Sequence, residues 1–201
     1  MDINVARAHC LIPQDGSVWM VPNFIAQADA DRLFDTLTLK LPWQQKQIRM
    51  FGKWINMPRL TCWVGDPGCS YTYSGLTESP LPWTPELLEI RQLLLEQASI
   101  ICNSVLANLY RSGQDSMGWH SDDEKELGQQ PVIASISLGA ERRFDLRHRH
   151  DADMKVSLNL PHGSLLVMEG LTQTYWKHQV PKEPATKVTG PRINLTFRTI
   201  L

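Results

Sequence analysis

The chain lacks the features that mark a secreted, membrane-bound or strongly charged protein. Its four cysteines, at positions 10, 62, 69 and 102, form no C-x-x-C pair, and neither a secretory signal nor a long apolar run occurs among the 201 residues. We therefore expect a cytoplasmic protein without a membrane partner, in which the cysteines are reduced packing residues. The net charge of −1 gives no bulk attraction to nucleic acid, so such binding would need a local basic patch.

The chain also has no internal repeat and no alternation of helices with parallel strands. Helices are predicted at about 28–39 and from Thr84, where Thr84 is the cap and Pro85 takes the first helical position. In the second helix, apolar residues recur at spacings of three and four as far as Val105. Residues 1–23 are expected to form an irregular arm with one strand near 18–21.

Short β-prone segments separated by turn residues make up most of the remaining chain. A hairpin is predicted at 47–54, and the segments 132–139 and 142–147 are predicted to be hairpin partners. Further strands are expected at 106–111, 155–160, 163–168, 174–178 and 192–198. Many strands after two helices favour a mainly β fold with flanking helices, namely a double-stranded β-helix (jelly roll) of two antiparallel sheets.

A His and an Asp stand one residue apart in the segment 119–124. On an extended backbone His120 and Asp122 project to the same side. One imidazole and one carboxylate are two thirds of the 2-His-1-carboxylate set that binds Fe(II) and leaves coordination positions open. An H-x-D pair alone is a weak signal, but His178, in a β-prone run well downstream, is a candidate for the second imidazole.

Polar side chains occupy every second position of the last predicted strand, which places them on one face. They are Arg192, Asn194, Thr196 and Arg198. Two arginines on a buried face need anionic partners to offset their desolvation. A dicarboxylate would satisfy both arginines.

Taken together, H-S-D, the distal His and R-x-N-x-T-x-R resemble the AlkB family of Fe(II)/2-oxoglutarate dioxygenases, from about the first helix to the C-terminus. The resemblance is to the branch that repairs double-stranded DNA. It implies oxidative demethylation of N-alkylated bases in DNA, of the 1-methyladenine and 3-methylcytosine type, as direct DNA repair. Formaldehyde, succinate and CO₂ would be released.

The same resemblance implies the residues that hold the cofactors. Fe(II) would be bound by His120, Asp122 and His178. The residues around 2-oxoglutarate would be Asn108, Tyr110, Arg192, Asn194, Thr196 and Arg198, where the N-x-Y pair is recognised by its position just before H-S-D.

Substrate contacts are implied in three further segments. A duplex-probing finger is expected at Met50, Phe51 and Gly52, where basic residues flank an apolar tip. Base stacking is expected on Tyr73, with Tyr71 and Ser74 nearby and Arg59 supporting the same lid. Base readout is expected from Glu124, with Asp123 beside it.

The densest basic cluster of the sequence follows the predicted strand 142–147. We expect phosphate contacts from Arg147, His148 and Arg149, in a patch that Arg142 and Arg143 extend. This patch would provide the local positive charge that the net charge does not.

Under this interpretation the chain is one dioxygenase domain that acts as a monomer on methylated double- and single-stranded DNA, associated with the nucleoid in a bacterium. Residues of about 1–80 would form an N-terminal extension and a nucleotide-recognition lid, and about 81–201 the helix and jelly-roll catalytic core. Three alternatives stay open. An RNA demethylase would use the same chemistry, a zinc hydrolase would use the same ligands but leave Arg192 and Arg198 without a role, and a cupin-like metal-binding module would show no turnover.

Overall fold

The computed structural model describes residues 3–50, 52–69, 71–73 and 76–201, with the backbone alone for 48–50, 71–73 and 76–78. In chain order its elements are α1 (Ile3–Ala8), β1 (Ser17–Val21), α2 (Gln27–Lys40), β2 (Gln47–Met50), β3 (Lys53–Asn56), β4 (Leu60–Gly65), β5 (Tyr71–Tyr73), β6 (Leu76–Glu78), α3 (Pro85–Ala98), β7 (Ser104–Tyr110), β8 (Met117–His120), β9 (Ile133–Gly139), β10 (Arg142–His148), β11 (Lys155–Leu160), β12 (Ser164–Glu169), α4 (Thr172–Tyr175), β13 (Trp176–Val180) and β14 (Arg192–Arg198). A short 3₁₀ helix, Lys125–Leu127, follows β8.

Two antiparallel sheets face each other. The larger sheet has the strand order β1-β12-β9-β14-β7-β4, and the smaller has the order β11-β10-β13-β8. One apolar core lies between the two sheets, and a second lies between the larger sheet and the helices α2 and α3. The expected jelly roll with helices outside is confirmed. None of the helices in the described part of the chain has the length and apolar composition that a bilayer crossing needs.

The alternation of side chains along β14 gives the larger sheet two different faces. Ile193, Leu195 and Phe197 belong to the core that contains α2 and α3. The alternate positions therefore face the smaller sheet. These positions hold Arg192, Asn194, Thr196 and Arg198. A strip of polar groups is thus enclosed between two sheets whose other contacts are largely apolar.

The N-terminal region is more ordered than we expected. The strand near 18–21 is confirmed, but an unexpected helix, α1, precedes it. β1 pairs with β12 and forms one edge of the larger sheet, and β4 forms the other edge. The part of the chain before Thr84 is therefore joined to the sheet by backbone hydrogen bonds.

The predicted extension of the second helix to Val105 is wrong. The helix begins as expected, since the Thr84 hydroxyl accepts a hydrogen bond from the amide of Leu87. It ends at Ala98 because Ser99 takes a left-handed conformation with φ of 55°. Val105 lies instead in β7, and its side chain packs in the core between the larger sheet and the helices. Its helical spacing from the residues of α3 is coincidental.

The predicted pairing of the segments 132–139 and 142–147 is also wrong. β9 lies inside the larger sheet between β12 and β14, so both of its edges are already occupied. Gly139 has φ of 91°, a conformation that glycine adopts without strain, at the point where the chain leaves this sheet. β10 then pairs with β11 and β13 in the smaller sheet.

The segment predicted as a strand over 174–178 divides into two elements. Its first part belongs to the one-turn helix α4, and only from Trp176 onward does it form β13. The helix is short because the chain must turn from β12, in the larger sheet, to β13, in the smaller one. This turn brings α4 close to the segment that follows β8.

Leu94 and Leu95 provide a test of the core between α3 and the larger sheet. Leu94 is 0% exposed and Leu95 is 46% exposed. We expect Leu94→Ala to lower the free energy of unfolding by about 2–5 kcal/mol, because it removes buried apolar groups and leaves a cavity. The neighbouring control Leu95→Ala should change it by about 0.5 kcal/mol or less. Urea unfolding followed by circular dichroism measures both; equal effects would contradict this packing.

Candidate metal centre

Three metal-binding side chains converge at the edge of the smaller sheet. His120 ends β8, and His178 lies opposite it in the neighbouring β13. Asp122 lies just beyond β8, so the expected common strand face explains only the position of His120. The ligand atoms of the three residues all lie within 4.8 Å of one another, and the two imidazole centroids are 4.1 Å apart. Folding therefore brings together the three residues that the sequence motif indicated.

Both imidazoles are suited to act as neutral ligands. The Nδ1 atom of His120 is 2.9 Å from the carbonyl oxygen of Gly118, which can only accept a hydrogen bond. In the neutral ring this contact places the proton on Nδ1, which leaves the lone pair of Nε2 for a metal. Burial, with His120 close by, lowers the pKa of His178 to about 3. His178 is therefore uncharged near neutral pH.

Asp122 supplies the carboxylate. Burial by itself would raise the pKa of this carboxyl, but the charge of the nearby Arg198 guanidinium holds its pKa below the ordinary value. The Nη1 atom of Arg198 lies 3.5 Å from Asp122 Oδ1. The side chain is therefore ionised, as a metal ligand must be. Two imidazoles and one carboxylate on one side of a metal ion leave its other positions open for small ligands.

Arg192 gives the inner face of β14 an anion-binding character. Arg192 is 1% exposed, and its Nη2 atom donates a 2.9 Å hydrogen bond to the hydroxyl of Ser137. Its Nε and Nη1 atoms have no hydrogen-bond partner among the residues that the structure describes. Burial lowers the pKa of Arg192 to about 10, which leaves it charged near neutral pH. A buried, charged and incompletely bonded guanidinium fits a carboxylate ligand.

Other polar groups surround Arg192 on the same face. Tyr110, opposite Arg192 in β7, places its ring 5.4 Å from the guanidinium. Asn194 donates a 2.7 Å hydrogen bond to Ser135 and accepts one of 3.1 Å from Thr196. The expected common face of Asn108 and Tyr110 in β7 is confirmed, and Asn194 lies opposite Asn108.

Three residues around this pocket were missed or assigned elsewhere. Ser135 and Ser137, two residues apart in β9, bind Asn194 and Arg192, and their alternation among apolar residues is a signal that sequence inspection can find. Arg59, expected at the lid, is buried and donates a 2.8 Å hydrogen bond to Asn108. The contact between Arg59 and Asn108 depends on the pairing of β4 with β7. Such a pairing between distant strands leaves no pattern in the local sequence.

Glu124 and Asp123 lie next to the metal-binding residues but differ in environment. The Nη1 atom of Arg198 lies between Asp122 and Glu124, 4.0 Å from Glu124 Oε2. Arg198 therefore joins the two carboxylates. Asp123 is exposed and forms an ion pair of 2.7 Å with Arg149.

Several residues expected to contact the substrate lie outside what the structure describes. Phe51 and Ser74 are outside the described residues, as are the side chains of Met50, Tyr71 and Tyr73. The hairpin itself is confirmed, because Met50 pairs with Lys53 and Gly52 takes a φ of 78° between β2 and β3. The strand that carries Tyr71 and Tyr73 is also present, as β5.

The expected basic patch is smaller than predicted. Arg142 is buried, and its guanidinium is bonded to Glu183 and to three backbone carbonyl groups. His148 does not fit the expected phosphate contact, since the residue is 8% exposed and its Nε2 atom lies 3.2 Å from Asp15 Oδ2. A carboxylate at this position would repel a phosphate. Arg143 is bound to Asp145, so none of these three provides a free cation.

Arg147 and Arg149 remain at the surface. The guanidinium of Arg147 lies 4.3 Å from the centroid of the Trp119 ring, which is a cation–π contact. The Nη2 atom of Arg149 lies 2.7 Å from both Ser121 Oγ and Asp123 Oδ2, so this arginine is tied to the segment that contains Asp122.

Comparison with known proteins defines the class. A family model described as the 2OG-Fe(II) oxygenase superfamily matches residues 17–198. The chain therefore belongs to this superfamily, and the set of two histidines and one carboxylate fits the Fe(II) site that the family's description names.

Individual relatives are similar over most of the chain. The bovine alpha-ketoglutarate-dependent dioxygenase alkB homolog 3 is 42% identical over 192 residues, 91% of this chain and 66% of the bovine protein. The DNA oxidative demethylase ALKBH2 of mouse is 40% identical over 185 residues, 87% of this chain and 77% of the mouse protein. The chain thus spans about two thirds of the length of the alkB homolog 3 proteins. It belongs to the AlkB family of the 2OG-Fe(II) oxygenase superfamily.

A solved structure shows the same fold. The protein described as "The structure of OsALKBH1" superposes with a TM-score of 0.60 at 18% sequence identity, covering 90% of this chain and 97% of that one. At this identity the likeness concerns the fold alone.

Arg192 provides a test of the cosubstrate pocket. We expect Arg192→Met to weaken binding of 2-oxoglutarate by about 10- to 150-fold, because a hydrogen bond from a charged donor is worth about 1.5–3 kcal/mol. Calorimetric titration with 2-oxoglutarate in the presence of Mn²⁺ measures the affinity. Arg32→Met, which removes a half-exposed arginine on α2, is the control and should bind normally. Unchanged affinity in Arg192→Met would remove this residue from the pocket.

Proposed function

We propose that this chain is an oxidative demethylase of N-alkylated bases in DNA, a direct-repair enzyme that uses Fe(II), O₂ and 2-oxoglutarate. The observation that carries this function is the combination of two sites on the facing sides of the two sheets. A His-Asp-His cluster, in which Asp122 and His178 are buried, lies at the edge of the smaller sheet, and the incompletely bonded Arg192 lies on the inner face of the larger sheet. A zinc hydrolase would have no use for the second site.

The names of relatives support the choice of substrate. The proteins from mouse and human called DNA oxidative demethylase ALKBH2 are 40% and 42% identical to this chain. An RNA demethylase with the same site would have the same metal and cosubstrate groups, and none of these relatives' names favours it.

The protein's contribution is placement and charge. His120, Asp122 and His178 would hold the metal, and Arg192 would bind the distal carboxylate of 2-oxoglutarate, with Asn108, Tyr110 and Asn194 beside it. When bound together, Fe(II), 2-oxoglutarate and O₂ supply an oxidant that hydroxylates an N-methyl group, with conversion of 2-oxoglutarate into succinate and CO₂. The hydroxymethyl product releases formaldehyde and the repaired base. Arg198 keeps Asp122 ionised, and Glu124, which lies beside Arg198, would contact the base.

A row of cations on the outer face of the smaller sheet supports nucleic-acid binding. Arg147 pairs in register with Lys155 on one side and with Lys177 on the other. These residues line a surface depression of about 580 Å³ together with His148, Arg149, His150 and Ala152. Such a row of cations attracts phosphate groups. Because the net charge of the whole chain is −1, this row is a local concentration of positive charge and not a property of the whole surface.

The exposed side chains of the hairpin β2–β3 also support binding to DNA. Trp54 is 66% exposed and Ile55 is 44% exposed, so neither side chain packs into the protein core. Exposed apolar side chains beside Lys53 suit insertion against stacked bases, with the phosphate backbone bound alongside. Acting on a base in duplex DNA requires that the base leave the stack, and a side chain that fills the gap offsets part of that cost.

Turnover on methylated oligonucleotides tests the proposed function. Wild-type protein supplied with Fe(II) and 2-oxoglutarate should release formaldehyde and succinate in equal amounts from DNA that contains 1-methyladenine or 3-methylcytosine. We expect Asp122→Ala to abolish both products while the circular dichroism spectrum is kept, because the apolar cores do not depend on this carboxylate. Asp35→Ala, at an exposed position of α2, is the control and should retain full activity.

Two results would overturn this function. The first is demethylation by Asp122→Ala at the wild-type rate, which would remove the metal centre from the reaction. The second is wild-type turnover on methylated RNA with none on methylated DNA, which would make the chain an RNA demethylase.

Trp54 tests the role of the hairpin. Because its side chain is largely exposed, Trp54→Ala should leave the melting temperature within about 2 °C of wild type. If the hairpin contacts the duplex, the rate on double-stranded methylated DNA should fall by about tenfold, as loss of one base-stacking contact of about 1–3 kcal/mol predicts. Rates on single strands should fall less. Equal losses of rate on single- and double-stranded DNA would contradict a duplex-specific role of Trp54.

A further inference from the structure

The segment that carries Asp122 is held from outside the metal centre. It lies beyond the end of β8 and before the 3₁₀ helix, so no strand pairing fixes its backbone. Asp122 itself must nevertheless stay within 4.8 Å of two histidines. Some other set of contacts has to maintain this position.

Gln173 in α4 provides one such contact. Its side-chain oxygen accepts a 2.9 Å hydrogen bond from the backbone amide of Asp122. Gln173 is 2% exposed, and its Nε2 atom lies 3.7 Å from the sulfur of Met168, in the interior. A hydrogen bond between buried groups fixes the amide closely, because breaking it leaves an unsatisfied donor in an apolar environment.

Arg149 contacts the residues on either side of Asp122. Its Nη2 atom donates to the hydroxyl of Ser121 and to the carboxylate of Asp123, each at 2.7 Å, and lies 3.5 Å from the carbonyl oxygen of Gln173. The Ser121 hydroxyl in turn donates to the carbonyl of Trp176 at 2.9 Å. One guanidinium thus joins the residues before and after Asp122 to the helix that binds the Asp122 amide.

We propose that Arg149 and Gln173 are positioning residues of the metal centre, which hold the backbone of residues 121–123 so that the Asp122 carboxylate meets His120 and His178. The inference rests on the proposed metal site and deepens it. It also changes the role of Arg149, which the sequence had suggested as a phosphate contact. Its guanidinium faces an acidic partner rather than open solvent alone, and its side chain is 27% exposed.

Arg149 differs in this respect from the other cations of the same depression. Lys155 is exposed, and Arg147 is directed toward Trp119. Neither has a hydrogen bond to residues 121–123 in the described part of the chain. Removal of a cation from this surface can therefore be separated from removal of the contacts that hold the Asp122 segment.

Metal affinity is the decisive measurement. Arg149→Met keeps most of the side-chain length and removes the donors, and Gln173→Met keeps the volume and removes the acceptor. We expect each change to weaken Mn²⁺ binding by about tenfold, as loss of a partner of a metal-ligating residue commonly does. Electron paramagnetic resonance of the free Mn²⁺ ion measures the affinity, at a temperature at which circular dichroism shows each variant to be folded.

Two matched controls exclude general effects. Lys155→Met removes a cation from the same depression, and Gln92→Met removes a glutamine that is hydrogen-bonded to Glu96 on the surface of α3. Both should bind Mn²⁺ with wild-type affinity. Affinities of Arg149→Met and Gln173→Met within twofold of wild type would overturn the proposal, as would an equal loss in the controls or a wild-type protein that does not bind Mn²⁺.

The result is independent of the nucleic-acid substrate. If no methylated oligonucleotide is demethylated by any variant but the difference in Mn²⁺ affinity is found, the positioning role stands and the proposed demethylase activity falls. If DNA is demethylated and the affinities are unchanged, the activity stands and the positioning role falls.

Discussion

The pairing of β13 with β8 is the constraint on which the site depends. It sets His178 opposite His120 and brings their rings to 4.1 Å, although the two residues are far apart in sequence. Because side chains alternate along a strand, the same pairing directs Trp176 and Val180 into the core between the sheets. A shift of register by one residue would turn His178 to the outer face and leave Asp122 with a single imidazole.

Buried charge is the second determinant of the site, with a negative group beside the smaller sheet and a positive group on the larger sheet. The smaller sheet side carries Asp122, held ionised by Arg198 against the effect of burial, and the larger sheet carries Arg192 with two nitrogen atoms that lack partners among the described residues. Charges in such an environment cost free energy unless they are paired. The site is therefore built for ligands that complete these pairs, a cation next to Asp122 and an anion next to Arg192.

The outer face of the smaller sheet serves a different purpose from the inner face. There the cations of β10, β11 and β13 lie in register across three strands and are open to solvent or half-buried. The inner residues of these same strands hold the metal-binding histidine and its apolar surroundings. Alternation along one sheet thus separates an outer surface rich in cations from an inner surface that carries one of the three candidate metal ligands. Arg149 follows the last residue of β10 and contacts the residues on either side of Asp122.

The sequence by itself determined the chemistry of the site. H-x-D, the distal His178 and the alternating polar residues of 192–198 name the metal-binding and anion-binding groups, because these depend on residue type and on the period of a strand, both of which are local. The start of α3 at Thr84 and the hairpin at 47–54 were also local matters of capping and turn chemistry.

Only the tertiary structure decided how these pieces pair. Helical spacing from Leu87 to Val105 is compatible with one long helix, but the helix ends at Ala98 and Val105 lies in β7, which is paired between β14 and β4 in the larger sheet. Neighbouring strands β9 and β10 could form a hairpin, yet each is paired within a different sheet. Gln173, Ser137 and Arg59 acquire their roles through contacts between elements distant in sequence. Strand order depends on how the whole chain buries its apolar surface, and no local pattern encodes it.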